Sequence, residues 1–75
     1  MKSIEELVSK GKSLLEEGNF EEALSNFEQA LLQNPSDPDL WNHKGVALRS
    51  LGRYDEAIEC FNKSLSIDPR DKQAS

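Results

Sequence analysis

The chain has 75 residues, which is enough for one small domain and too few for a multidomain enzyme. Nine Lys and Arg against fourteen Asp and Glu give a formal net charge of -5, and an acidic surface repels nucleic acid. The single cysteine, Cys60, allows no internal disulfide or metal-binding quartet, and no apolar run is long enough for a signal peptide or a membrane span. We therefore expect a cytoplasmic protein without a cofactor, a nucleic-acid partner or a membrane partner.

Apolar residues recur every three or four positions along most of the chain, which is the period of amphipathic helices. The pattern predicts four helices, at residues 4–17, 20–33, 38–51 and 54–67. Because the connections between them are short, neighbouring helices must lie antiparallel. We expect an all-α fold of two stacked antiparallel helical hairpins.

Residues at the predicted helix ends support these boundaries. Ser3 and Asn19 are each followed three residues later by a glutamate, which is the spacing of a capping box. Gly18 and Gly52 stand where the first and third helices must stop, because glycine accepts the left-handed backbone that ends a helix. Pro38 is suited to the first turn of the third helix.

The two hairpins are copies of one sequence unit. Sliding the chain by 34 residues aligns residues 4–37 with residues 38–71 without a gap, and ten of the 34 pairs are identical. Residues 72–75 would begin a third unit. We therefore interpret residues 1–75 as a single domain that contains two tandem repeats and an incomplete third.

Both units carry small, aromatic and proline residues at matching positions. In the second unit these are Trp41, Gly45, Leu48, Gly52, Tyr54, Ala57, Phe61 and Pro69, and in the first they are Leu7, Gly11, Leu14, Gly18, Phe20, Ala23, Phe27, Ala30 and Pro35. Their order and spacing over residues 4–71 resemble those of the tetratricopeptide repeat family. This resemblance implies a short right-handed α-solenoid that acts as a noncatalytic scaffold for protein–protein interaction.

In the family that the chain resembles, one side of the first helix of each hairpin lines a concave groove that holds peptides. Angles of 100° per residue place the corresponding stripes at roughly 40 to 140° from the glycine of each helix. The stripes contain Glu5, Val8, Lys12, Leu15 and Glu16 in the first unit and Asp39, Asn42, Val46, Arg49 and Ser50 in the second, with Ser9 and His43 at the margin. This mixture of apolar and charged residues suits a short amphipathic peptide. Residues 1–37 carry three Lys against eight acids, so a basic partner is favoured.

Some members of the family hold the carboxylates of chaperone tails in a clamp of Lys, Asn and Arg residues. The resemblance would require Lys at Val8, Asn at Lys12, Asn at His43 and Lys at Gln73. None of these residue types is present at its position, so we expect no chaperone-tail clamp.

Other candidate chemistry has a structural interpretation. Residues 11–13 read Gly-Lys-Ser like the end of a phosphate-binding loop, but the earlier glycine and the preceding strand are missing. His43 and Cys60 have no ligand or catalytic partner at a suitable spacing. The helical spacing of Trp41 places it on the core stripe. We expect no enzymatic activity.

The last predicted helix carries apolar residues for which the sequence provides no cover: Ile58, Phe61, Leu65 and Ile67. In repeat arrays each hairpin buries its apolar face against the next. Either the chain is cut from a longer array or another copy covers this helix. Self-association, through the last helix or through an exchanged hairpin, is therefore the alternative to peptide binding.

Overall fold

A computed structural model describes residues 2–68 of the chain. It contains α1 (Ile4–Glu17), α2 (Phe20–Gln33), α3 (Pro38–Ser50) and α4 (Tyr54–Ile67). The four predicted helices are confirmed, although α3 ends one residue before the predicted position. No helix within this part of the chain is long and apolar enough to cross a membrane. Pro69, Gln73 and the start of the third unit, residues 72–75, lie outside the described residues.

The starts of α1 and α2 differ. At α1 the expected capping box is confirmed, because Glu6 N donates to Ser3 Oγ over 3.2 Å and Ser3 N donates to Glu6 Oε1 over 3.2 Å. At α2 it is wrong. Asn19 has φ -88° and ψ 70° instead of the extended backbone of Ser3, and its Nδ2 donates to Glu17 Oε1 over 3.3 Å. Gly18, in the left-handed conformation, turns the chain directly into α2. The side chain of Asn19 therefore does not reach the amides at the start of that helix.

The two hairpin turns and the start of α3 agree with the sequence. Gly18 and Gly52 have φ values of 84° and 82°, in the left-handed region that glycine alone adopts readily. Pro38 occupies the first turn of α3. The cap itself is Asp37, whose carboxylate accepts a hydrogen bond from Asp39 N over 2.9 Å. These short connections fix the antiparallel arrangement of α1 with α2 and of α3 with α4.

Each hairpin closes where a glycine faces an aromatic ring. A Cβ atom built on Gly11 would lie 2.6 Å from Phe27 Cε1, and one built on Gly45 would lie 2.6 Å from Phe61 Cε1. Real Cβ atoms essentially never come this close to another heavy atom. The absence of a side chain at these two positions therefore lets the helices of each hairpin approach, and it places the two rings between them.

The buried core runs through both hairpins and joins them, which confirms the all-α fold of stacked helical hairpins. One cluster contains Leu14, Ala23, Leu24, Phe27, Ala47, Leu48, Ala57 and Cys60, and a second contains Leu7, Ala30, Leu31 and Leu40. Trp41 packs against both clusters, and its Nε1 donates to Pro35 O over 2.8 Å. Its expected place on the core stripe is confirmed.

Candidate functional site

A shallow cavity of about 430 Å³ lies where the groove is predicted to begin. Three of the predicted groove residues, Glu5, Val8 and Lys12, line this cavity. Ile4 also lines it, and Ile4 and Val8 are half-buried because they pack against the second core cluster. The cavity therefore has an apolar base that belongs to the core and charged side chains around it.

The remaining lining residues are Ser9, from the margin of the stripe, and Asn34 and Asp37, which sequence reasoning missed. Asn34 and Asp37 belong to the connection between α2 and α3, where helical periodicity gives no signal. The antiparallel hairpin could have revealed them, because it returns the end of α2 to the start of α1. A hydrogen bond of 2.9 Å from Gln33 Nε2 to Lys2 O marks this return.

The other residues of the two predicted stripes do not line this cavity. Asn42 and Val46 of α3 are half-buried, whereas Glu16, Asp39 and Arg49 are exposed. Leu15 is half-buried and packs against the first core cluster. We call the cavity described above the α1 cavity, and we use the name groove for it together with Asn42 and Val46 of α3. The apolar side chains of the groove are Ile4 and Val8 of α1 and Val46 of α3.

His43 does not stand free at the margin of the groove. Its ring stacks on Phe27 of α2, with ring centroids 5.2 Å apart and an interplanar angle of 21°. Burial lowers the pKa of His43, and the positive charge of Lys12 lowers it further, while Asp39 and Asp37 act in the opposite direction. The neutral imidazole is therefore favoured, and His43 serves as a packing element between the hairpins.

The charges around the α1 cavity are mostly negative. Glu5 and Asp37 line it, and Asp39 is close enough to raise the pKa of the neighbouring His43. Lys12 is the basic lining residue. The cavity thus combines an apolar base with two carboxylates and one ammonium group.

A second candidate surface lies on α4. We call it the α4 face and define it by Tyr54, Ile58, Phe61 and Leu65, which follow one another along one side of the helix at intervals of three or four residues. Tyr54 is 63% exposed and Ile58 is 55% exposed, while Phe61 and Leu65 are half-buried. The sequence prediction included the last three of these residues and missed Tyr54.

In the first hairpin, the face of α2 that corresponds to the α4 face is covered by α3. Residues Phe20, Leu24, Phe27 and Leu31 of α2 align with the four residues of the α4 face. Three of them share core clusters with α3: Leu24 and Leu31 are 7% exposed, and Phe27 is fully buried, while Phe20 is half-buried. The α4 face is thus the same surface without a following helix within residues 2–68.

Two residues lie in places that differ from their predicted sites: Ile67, which is predicted for self-association, and Arg49, which is predicted for the groove. Ile67 follows Leu65 by two residues and so lies about 200° around the helix from it. It is half-buried on another side of α4, and we leave it out of the α4 face. Arg49 of α3 was assigned to the groove, but its guanidinium lies 5.9 Å from the centroid of the Phe61 ring. Arg49 therefore borders the α4 face.

Cys60 lines a smaller concavity of about 240 Å³ between α3 and α4, together with Trp41, Lys44 and Leu48 of α3. Cys60 is buried in the first core cluster, and this burial raises the pKa of its thiol. Lys44 also lines this concavity, and its Nζ lies 3.6 Å from Glu28 Oε2 and 5.4 Å from the centroid of the Trp41 ring. A protonated thiol in this setting is a core side chain rather than a nucleophile.

The fold defines a class of protein, the all-α proteins built from stacked helical hairpins. Within this class, the sequence pattern of the tetratricopeptide repeat family matches residues 8–72, and the chain belongs to that family. Tetratricopeptide repeats generally mediate protein–protein interactions, and proteins of this family are typically noncatalytic scaffolds. No curated protein matches the chain.

Proposed function

We propose that the protein is a noncatalytic scaffold that holds a short amphipathic peptide segment with basic side chains in its groove. The observation that carries this proposal is the α1 cavity of about 430 Å³, in which Ile4 and Val8 form an apolar base beside Glu5 and Asp37. Apolar contacts with the base would supply most of the binding free energy, and the charged groups would fix the orientation of the peptide.

The roles of His43 and Cys60 support a scaffold rather than an enzyme. Both are reactive types of side chain, yet His43 stacks on Phe27 and Cys60 is buried in the core. The pKa of His43 is lowered and that of Cys60 is raised, in both cases mainly by burial, so both groups are held in their neutral forms. Such groups contribute to packing, and the groove is left with contacts suited to binding.

Peptides selected without bias can test the groove. A phage-displayed library of random short peptides would be selected against the protein, and the affinity of the strongest binders would be measured by fluorescence anisotropy. Lys12→Glu inverts a charge in the cavity, and Lys10→Glu inverts the same type of charge on an exposed part of α1 outside it. Because the peptides carry basic groups, we expect Lys12→Glu to raise affinity at least about tenfold and Lys10→Glu to change it less than about twofold.

The proposal also predicts the composition of the selected peptides. They should combine apolar residues with Lys or Arg, and Val8→Asp should abolish their binding because it puts a charge on the apolar base. Peptides that bind the Lys12→Glu, Val8→Asp and unmodified proteins with equal affinity would contradict a site in the groove. Circular dichroism would establish that each variant is folded.

A second candidate function is self-association through the α4 face. The contrast between Leu24 at 7% exposure and its repeat counterpart Ile58 at 55% favours it. Removing such side chains from water is the main source of free energy in protein association. A partner that covered the α4 face would complete the stacking that α3 already provides for α2.

Sedimentation velocity at high micromolar concentration tests this second candidate. We expect species larger than the monomer, and we expect Ile58→Lys to remove them because it places an ammonium group on the α4 face. Lys12→Glu, on the groove side, should leave the distribution unchanged. A monomer alone in the unmodified protein would contradict self-association without affecting the peptide-binding proposal.

A further inference from the structure

We infer that two copies of the chain pair through their α4 faces about a twofold axis and form a closed dimer, instead of joining end to end. The inference rests on the self-association proposed above, and it specifies the partner and its orientation. It follows from a comparison of the helix that covers α2 with the helix that would have to cover α4 in an end-to-end array.

The junction between the hairpins is made by particular residues of α3. Leu40 shares a core cluster with Ala30 and Leu31 of α2, and it is 2% exposed. Ala47 is fully buried in the cluster that contains Leu24 and Phe27. Apolar side chains on α3 therefore close the apolar surface of α2.

An ion pair adds a polar contact at the same junction. Lys44 of α3 lies 3.6 Å from Glu28 of α2. The corresponding pair in an end-to-end array would be Asn62 of one copy and Lys10 of the next, since these positions align with Glu28 and Lys44. The charge complementarity of the internal junction would be lost.

In an end-to-end array, α1 of the next copy would take the place of α3, but α1 has the wrong residues. Leu40 aligns with Glu6 and Ala47 aligns with Ser13, and both α1 residues are exposed. By analogy with the Leu40 and Leu31 contact, Glu6 would be pressed against Leu65 of the preceding copy. Its carboxylate already accepts the backbone hydrogen bond of the Ser3 capping box, and burial of this charge in an apolar contact would be costly. The outer side of α1 is therefore polar at the positions where α3 is apolar.

The surface that best complements the α4 face is the same face on a second copy. Three large apolar side chains are strongly exposed in residues 2–68, and two of them, Tyr54 and Ile58, belong to the α4 face. The third, Leu32, is on α2 and separate from that face. A face that pairs with itself generates a twofold axis, and such an interface closes at two copies.

The expected dimer is weak. A helix of 14 residues is about 21 Å long, so one pair of helices makes a small interface, of the kind found in transient complexes. The helix carries Asp55, Glu56 and Glu59 against Lys63, so two copies also repel each other. High micromolar protein and moderate salt are the appropriate conditions for its detection.

Disulfide cross-linking distinguishes the two arrangements. In a Cys60→Ala background, which removes the native thiol, Ile58→Cys places one cysteine near the middle of the α4 face. In a twofold dimer this cysteine lies close to its own copy, and oxidation should convert most of the protein to a disulfide-linked dimer. Ser13→Cys is the matched control on the outer side of α1 and should stay monomeric when oxidised alone.

An equal mixture of the Ser13→Cys and Ile58→Cys variants tests the alternative arrangement, in which copies join end to end. End-to-end joining predicts a mixed disulfide between Ser13→Cys and Ile58→Cys chains, and this product would overturn the twofold dimer while leaving self-association intact. The unmodified protein provides a second measurement that needs no substitution. Its weight-average mass should approach that of a dimer and stop there, and continued growth with concentration would also overturn the inference.

The oligomeric state of the unmodified protein tests self-association and the twofold dimer together. If the unmodified protein stays monomeric at high micromolar concentration, self-association and the twofold dimer are both rejected. If a dimer forms, Ile58→Lys should raise its dissociation constant at least about tenfold, while circular dichroism shows an unchanged helical content. A dimer that tolerates Ile58→Lys would overturn the role of the α4 face.

Discussion

Gly11 of α1 lies directly against the ring of Phe27, so that a Cβ atom on Gly11 would be 2.6 Å from Phe27 Cε1. The second repeat has the same relationship between Gly45 and Phe61 at the same distance. The two rings differ in the space available for them to move, however. Phe27 is fully buried between the hairpins, whereas Phe61 is half-buried at the α4 face.

This difference predicts unequal effects of the same substitution. Gly11→Ala should lower the free energy of unfolding by about 1 to 2 kcal/mol, because the clash with a fixed ring outweighs the gain in helix propensity of about 1 kcal/mol. Gly45→Ala should have an effect close to zero, because the Phe61 ring can move outward. Urea unfolding followed by circular dichroism measures both values. Equal losses for the two variants would show that Phe61 is held as firmly as Phe27.

The stacked imidazole predicts a pH dependence of stability. Burial holds the pKa of folded His43 below 6.5, so as the pH falls the unfolded chain takes up a proton before the folded chain does. Its contribution to stability is therefore complete above the unfolded pKa and is lost as the pH falls through the folded pKa. The contribution of Glu6, whose pKa is lowered by Ser3, is lost at lower pH, below 4.5.

His43→Phe provides the matched control, because phenylalanine can stack on Phe27 without titrating. The free energy of unfolding of the unmodified protein should fall between about pH 7.5 and pH 5.5 by more than that of the variant. Urea unfolding at several pH values gives the two slopes. Parallel slopes would mean that His43 has the same pKa in the folded and unfolded chains.

Replacement of the buried Ser64 should cause a small loss of stability that originates in the second hairpin. Ser64 is 1% exposed, and its Oγ donates to Pro38 O over 2.9 Å, which links the end of α4 to the start of α3. The first repeat has Ala30 at the aligned position. Ser64→Ala should lower the free energy of unfolding by about 1 kcal/mol, the usual contribution of one hydrogen bond, and chemical denaturation would check it. An unchanged or higher stability would mean that the hydrogen bond contributes nothing beyond packing.

The two proposed surfaces should respond to salt in opposite directions. Raising NaCl from about 0.05 M to about 0.5 M should weaken the binding of a basic peptide several-fold, because it screens attraction to Glu5 and Asp37. The same change should strengthen the dimer, because each chain carries a formal net charge of -5. Anisotropy and sedimentation measure the two dissociation constants, and salt effects of the same sign would contradict this assignment of charges.

Much of the fold could be predicted because helical period and repeat period agree. Gly18 and Gly52 mark the hairpin turns by a backbone requirement that is local in sequence. The repeat pattern does not mark Leu40 and Ala47 as core positions, because the aligned first-repeat residues, Glu6 and Ser13, are polar. The core at these positions depends on the neighbouring hairpin, and within residues 2–68 it is α2 of the first hairpin that packs against Leu40 and Ala47.

The site was less predictable than the fold. Helical angles bring Val8 and Lys12 to one cavity, as expected, but they give no information on Asn34, which comes from a connection. His43 was placed at the groove margin by angle, whereas its ring is held by Phe27 of α2. Contacts between helices decide these positions, and a pattern along one helix does not contain them.

Nuclear magnetic resonance mapping tests the central claim that the groove is the peptide-binding surface. The backbone amides of the protein, kept at a concentration where it is monomeric, would be followed during titration with a selected peptide. We expect the largest shifts at Val8, Lys12 and Val46, with little change at Ile58 and Leu65. Shifts confined to the last two residues would contradict the claim and assign peptide binding to the α4 face.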